Sequence, residues 1–282
     1  MMVSEEINII ASSDVANGAK NKSSDGSYFE IHLQESIEIP REALSVSLSM
    51  QTSTIWWNIH NVITGVNDRI YITGPNLLGV ITPFVLTLPS GLYDLNGMNQ
   101  AILRELENAN AKIEPSSLIV LSADESTQKV QVRFNYPSVL IDFTPNDTFR
   151  DILGFNSGIV GPFLDAPFER LADNVAAFNT TNYFLIHCDL TTTGIRVNDK
   201  FTQTIAQVPI DVAPGAQITY TPFHIPVISV NELIGSKKNI IRLWLTNDKN
   251  ERVNTENENW SAALVIKYTR PFMIAHTDAR LK

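Results

Sequence analysis

Apolar and polar side chains alternate with a two-residue period near both ends of the chain. Leu44, Val46, Leu48 and Met50 fall on one side of an extended segment, and Ser45, Ser47, Ser49 and Gln51 on the other. Only a strand half buries such a segment, so it predicts one dry face and one wet face. Ala263-Leu264-Val265-Ile266-Lys267-Tyr268 reads the same way. The pattern predicts further strands over Tyr28–Leu33, Leu44–Thr52, Ile55–Ile59, Arg69–Thr73 and Phe84–Leu88. A later series follows over Tyr183–Leu190, Thr204–Val208, Gln217–Thr221, Ile240–Thr246 and Trp260–Tyr268. Pro, Gly, Asn and Asp clusters separate them. Together they predict an all-β fold, a single jelly roll built as an eight-stranded antiparallel sandwich.

A helical period interrupts the series once. Asp94 is placed to cap a helix in which Leu95, Met98, Ile102 and Leu106 recur at helical spacing up to Ala109, with Arg104, Glu105 and Glu107 outside. A hairpin is predicted from Leu118–Ser122 and Lys129–Phe134. A helical turn over Thr148–Phe155 should stop at Gly154, with Phe155 folding back. These features assign residues 90–180 to an inserted α+β subdomain and residues 27–89 and 181–282 to the jelly roll. Residues Ala11–Gly26 are small and polar and include no aromatic residue, so residues 1–26 are expected to form a flexible N-terminal arm.

Composition sharpens this picture. With 282 residues and 44% hydrophobic content, the chain can bury a core without staples. Its single cysteine, Cys188, rules out an internal disulfide. Met1-Met2-Val3-Ser4-Glu5-Glu6 lacks the basic start and apolar centre of a secretory signal, so synthesis in a reducing cytoplasm is expected. The longest apolar stretch, Leu77–Leu88, is shorter than the ~20 residues that cross a bilayer, and no membrane span is expected. The Asn-x-Ser/Thr matches at Asn21, Asn146, Asn179 and Asn259 then read as chance. The net charge of −9 argues against nucleic-acid binding, since Lys20 with Lys22 and Lys237 with Lys238 are only isolated pairs.

Candidate chemistry is sparse. His32, His60, His187, His224 and His276 stand singly, without the close histidine spacing of metal-dependent jelly-roll enzymes such as cupins. Gly74-Pro75-Asn76-Leu77-Leu78-Gly79 has the outer spacing of a phosphate loop but lacks the following lysine and hydroxyl, and reads as a turn. Cys188 lies between His187 and Asp189, and consecutive strand residues face opposite ways, which predicts a buried, unreactive thiol. Asn247-Asp248-Lys249-Asn250-Glu251 is rich in oxygen but lacks the central glycine of a calcium loop, so a turn is expected. No catalytic, cofactor or metal residue is assigned. Trp56 and Trp57 should face opposite sides of their strand, leaving one for a surface contact.

The order of segments resembles that of a known family. It comprises Leu88-Pro89-Ser90-Gly91-Leu92-Tyr93-Asp94 opening a helix, then Asp151-Ile152-Leu153-Gly154-Phe155, Asn182-Tyr183-Phe184-Leu185-Ile186-His187-Cys188-Asp189-Leu190 and Gln207-Val208-Pro209-Ile210. Ile240-Ile241-Arg242-Leu243-Trp244-Leu245 and Leu264-Val265-Ile266-Lys267-Tyr268 close it. This arrangement, covering most of residues 28–270, resembles the penton (vertex) capsid proteins of virophages and Polinton-like viruses. The resemblance implies a virion protein with no catalytic residues. It would form a homopentamer at icosahedral fivefold vertices, surrounded by trimeric double jelly-roll major capsid proteins, with the arm reaching toward neighbours.

Ring closure needs two different adhesive sides. Tyr183–Leu190 is apolar on both faces, Phe184, Ile186 and Leu190 on one and Tyr183 and Leu185 on the other, so one face should be covered by the insertion or by a neighbouring subunit. The candidate interface residues are therefore Trp56, Trp57, Tyr183 and Leu185. Two other classes fit a jelly roll: a receptor- or glycan-binding attachment protein, and a metal-dependent enzyme, which the histidine spacing disfavours.

Overall fold

A full strand, β1 (Met2–Ser12), begins the chain where a flexible arm over residues 1–26 is expected. The structure, a computed structural model, describes residues 2–113, 116–161, 166–179, 181–197 and 200–271, and of residues 200 and 201 the backbone alone. After β1 come a short β2 (Ala19–Lys20), β3 (Tyr28–Glu38) and β4 (Ser45–Trp56). The chain then enters a second compact unit, Ile59–Thr180, before returning to the first, which comprises Met1–Asn58 and Thr181–Lys282. The second unit contains β5 (Arg69–Pro75), β6 (Ile81–Thr87), α1 (Leu95–Asn108), β7 (Ile119–Asp124), β8 (Lys129–Phe134), β9 (Leu140–Asp142), α2 (Arg150–Leu153), β10 (Ile159–Val160) and β11 (Phe168–Leu171). Back in the first unit lie β12 (Tyr183–Cys188), β13 (Arg196–Val197), β14 (Lys200–Phe201), β15 (Thr204–Pro209), β16 (Gln217–Tyr220), β17 (Ile228–Ser229), β18 (Lys237–Thr246) and β19 (Ser261–Pro271).

The first unit is a jelly roll. One sheet runs β1-β19-β4-β16, with β17 also on β4, and the other runs β15-β12-β18-β3-β2. Every connection among the eight main strands crosses between the sheets, except β12 to β15. The core is formed by alternate residues: Val46, Leu48, Met50, Leu264 and Ile266 from the first sheet, and Phe29, Phe184, Ile186, Leu243 and Leu245 from the second, all buried. Trp260 meets Phe29 edge-on with ring centroids 4.9 Å apart and joins the two layers.

Two expectations require correction. All eleven residues of β1 pair in register with β19, so Met2–Ser12 is an integral strand. Its inward residues include Glu5, which breaks the apolar alternation; Tyr268 and Arg270 hydrogen-bond that carboxylate. Residues after it are held by polar contacts as well as by burial of Ala19, which pairs with Ile31. Asp14 caps a short turn by accepting from the Ala16 amide, and the Lys22 ammonium donates to Asn259 at 2.9 Å. The second correction concerns the insertion, which starts at Ile59, so β5 and β6 belong to the second unit. Their alternation is real, but a strand pattern carries no label for its sheet.

In the second unit a four-stranded sheet, β10-β9-β5-β6, and a three-stranded sheet, β11-β8-β7, accompany α1. Asp94 caps α1 by accepting from the Gly97 amide at 2.6 Å, as its spacing predicts. Met98, Ala101, Ile102 and Leu106 are its buried residues and join Ile72, Leu121, Val132 and Phe149 in the core of this unit. The Gly154 stop also forms: φ is +81°, and the Phe155 amide donates back to the Arg150 carbonyl. A Cβ at Gly154 would lie 2.3 Å from the Asn174 carbonyl oxygen. Gly154→Ala is therefore expected to cost about 2–4 kcal/mol, from left-handed backbone strain plus steric overlap. Chemical denaturation followed in the second unit checks this; an unchanged midpoint would contradict it.

Candidate assembly surfaces

The outer face of the first sheet carries a row of serines among larger side chains. Ser45, Ser47 and Ser49 on β4 lie beside Ala263, Val265, Lys267 and Thr269 on β19, and Ser4, Glu6, Asn8 and Ile10 on β1 continue it. The register between β4 and β19 slips between Met50 and Thr52, leaving Gln51 as an extra residue. This bulge reverses the phase of the strand. Before it the even-numbered residues face inward, and after it Ser53, Ile55 and Trp57 do. The predicted strands Leu44–Thr52 and Ile55–Ile59 are thus one strand, and the slip sends Trp57 (5% exposed) into the core while Trp56 stays half-buried.

Between β16 and β17 the chain forms a lip over this sheet. Both ends are tied to β4, Tyr220 opposite Ser53 and Ile228 opposite Leu48. Pro222 is buried, whereas Phe223, Ile225 and Val227 are 94%, 41% and 70% exposed. Ile225 and Val227 line a groove of about 490 Å³ together with Ser47, Ser49 and Val265 and the paired charges of Glu6 and Lys267. The marker of this lip in the sequence is Phe223 and Ile225 framed by Pro222 and Pro226 within a stretch free of Asp, Glu, Lys and Arg, residues 212–231.

The second sheet presents ordered polar rows outward. His187 and Trp244 stack with centroids 5.2 Å apart and planes 4° from parallel, and the Arg252 guanidinium lies over both Trp244 and Tyr28. The His187 ring nitrogens contact the hydroxyls of Thr246 at 2.8 Å and Thr204 at 3.2 Å. Burial, together with the Arg252 charge, lowers the pKa of His187 to about 4. In the next row Arg242 bridges Glu30 and Asp189. The Tyr28 hydroxyl, then His32 and Asn21, donate to Glu30 and bring its carboxyl down to about 2.

Strand β12 is closed on both faces. Phe184, Leu185, Ile186, His187 and Cys188 are all buried, Leu185 at 2%, and only Tyr183 is partly exposed. The segment after β18 turns back, pairing Arg252 with Thr246, which is itself opposite Leu185. Of the four interface candidates, Leu185 and Trp57 are buried within the single chain, and Trp56 and Tyr183 are partly exposed. The structure places Trp56 on the first sheet and Tyr183 on the second, so the four do not form one patch. Burial pushes the Cys188 thiol up to about 12, the unreactive form its strand position predicts.

Residues Asn247–Glu251 form a turn in which the Asn247 side-chain oxygen accepts from the amides of Lys249 and Glu251. His224 lies in the lip against Phe223, and His276 falls outside the described residues. Among the described residues no three His, Cys, Asp or Glu side chains are grouped to hold a metal, and no helix is long and apolar enough to cross a membrane.

In the second unit, the turn joining β5 and β6 exposes Leu77, Leu78, Val80 and Ile81. Its backbone amides are satisfied: the Asn76 side chain accepts from the amides of Leu78 and Val80, and the Leu77 amide donates to the Asn110 carbonyl just past α1. The glycine-spaced segment is thus a hairpin turn.

Strand order and crossing connections place the chain among single jelly-roll proteins that carry a large insertion between two strands of opposite sheets. No family model and no curated protein sequence matches it. Among solved structures, it has the fold of the mavirus penton protein, seen in a crystal of the selenomethionine-labelled protein. The two align with a TM-score of 0.50 over 94% of this chain and 100% of that one, at 11% sequence identity.

Proposed function

We propose that this chain is a structural virion protein: the penton subunit that closes the fivefold vertices of an icosahedral double-stranded DNA virus capsid, of the virophage and Polinton-like kind. The observation that carries this reading is the match to the whole mavirus penton protein, which spans this chain's insertion as well as its jelly roll. The working parts are the flanks of the sandwich. Five copies form a ring by a heterologous contact whose rotation closes. Trimeric double jelly-roll major capsid proteins surround it, and the chain resides at capsid vertices after synthesis in the host cytoplasm or a viral factory. Its role is assembly, not catalysis; His187 already holds two hydroxyls and the Cys188 thiol is sealed in the core.

Native mass spectrometry of the purified chain, with electron microscopy of the same sample, tests this. The expected result is a five-chain species appearing as fivefold rings. Rings of another count, or a chain that stays single at every concentration, would count against it.

A further inference from the structure

Contacts between copies of one acidic chain are limited by its own charge. At a net −9, surfaces carrying excess carboxylates repel their duplicates, and like charges brought face to face cost binding energy. A contact with a second copy is favoured where the surface carries no charge. Residues 43–67 and 212–231 contain no Asp, Glu, Lys or Arg, although each lies in a chain with 51 such residues, 21 basic and 30 acidic. The fold brings these two segments together: β4 from the first pairs with β16 and β17 from the second. The neutral surface they form carries the lip, with Phe223 almost fully exposed beside Ile225 and Val227.

We propose that this charge-poor side of the first sheet, anchored by Phe223 and Val227 and with the groove's two charges, Glu6 and Lys267, paired to each other at 2.9 Å, is the surface by which one copy of this chain docks on a second. The inference rests on the pentamer reading and deepens it by naming the contact. Three features suit the lip to the task. An exposed aromatic is the residue type that dominates interface energetics. Its attachment to β4 at both ends, with Pro222 buried, fixes its shape before docking, so little chain entropy is lost on association. Charge is depleted there as it is at interface centres. The hairpin tip of the second unit is also uncharged, from residue 70 to 93, but carries aliphatic anchors without an aromatic one.

The test compares wild type with Phe223→Asp, Val227→Asp and Leu78→Asp by sedimentation and native mass. All three positions are exposed, so folding should be retained, and circular dichroism verifies it. Loss of the multimer in Phe223→Asp and Val227→Asp, with association weakened about 30-fold or more, and an unchanged Leu78→Asp are expected. Intact multimers of Phe223→Asp and Val227→Asp would overturn this surface while leaving the pentamer standing. Dissociation by Leu78→Asp alone would move the contact to the second unit. A wild-type chain that stays single would overturn both.

Discussion

Deletion of residues 1–12 is expected to abolish folding of the jelly roll. In the structure β1 supplies an entire edge of the first sheet, pairing eleven residues with β19. Its loss would strip β19 of every backbone partner on that side and uncover Ile266, Leu264 and Ala262, which are buried opposite Ile7, Ile9 and Ala11. It would also leave Tyr268 and Arg270 without Glu5. A domain is stable by only about 5–15 kcal/mol, and losing one of eight main strands removes a comparable amount. Circular dichroism and soluble yield of the truncated chain measure this directly. Recovery of a folded, cooperative jelly roll would show that β1 is an appendage.

Trp260→Ala should be the most damaging single substitution in the same unit. The indole is 2% exposed, packs on Phe29 at 4.9 Å, and donates from Nε1 to the Gly26 carbonyl at 3.1 Å. The residue is also clasped by its backbone: its amide donates to the Ser13 hydroxyl, and its carbonyl accepts from the Ser13 amide. Truncation leaves a cavity between the sheets and an unpaired carbonyl, with an expected cost of about 3–5 kcal/mol. Trp260→Phe keeps most of the volume and should cost less, separating the cavity from the lost hydrogen bond. Denaturant titration gives both values; equal losses would mean that the cavity contributes little.

Much of the architecture was legible because its residues answer to local rules. The Ser45–Met50 alternation, the Asp94 cap and the Gly154 stop each depend on neighbours within a few positions, and each forms as read. The failures are nonlocal. Glu5 interrupts the apolar side of β1, and the Tyr268 and Arg270 groups that receive its carboxylate lie on a strand more than 260 residues away. The Gln51 bulge is a mismatch with β19, invisible in β4 alone, yet it decides which tryptophan is buried. Tyr183–Cys188 reads as needing an outside cover because the sequence cannot show that Trp244 of β18 stacks on His187 and Thr246 lies opposite Leu185. The lip was missed for another reason: an exposed phenylalanine looks like core until its burial is known.

The insertion has an energetic consequence for the jelly roll. Ile59–Thr180 hangs between Asn58 and Thr181 as a guest in a host loop. If the guest melted, the host would have to close a disordered loop of roughly 120 residues. That costs about 2 kcal/mol more than closing one of ten. A folded guest spares its host this penalty, so damage confined to one compartment lowers the melting point of the other without touching a residue of it.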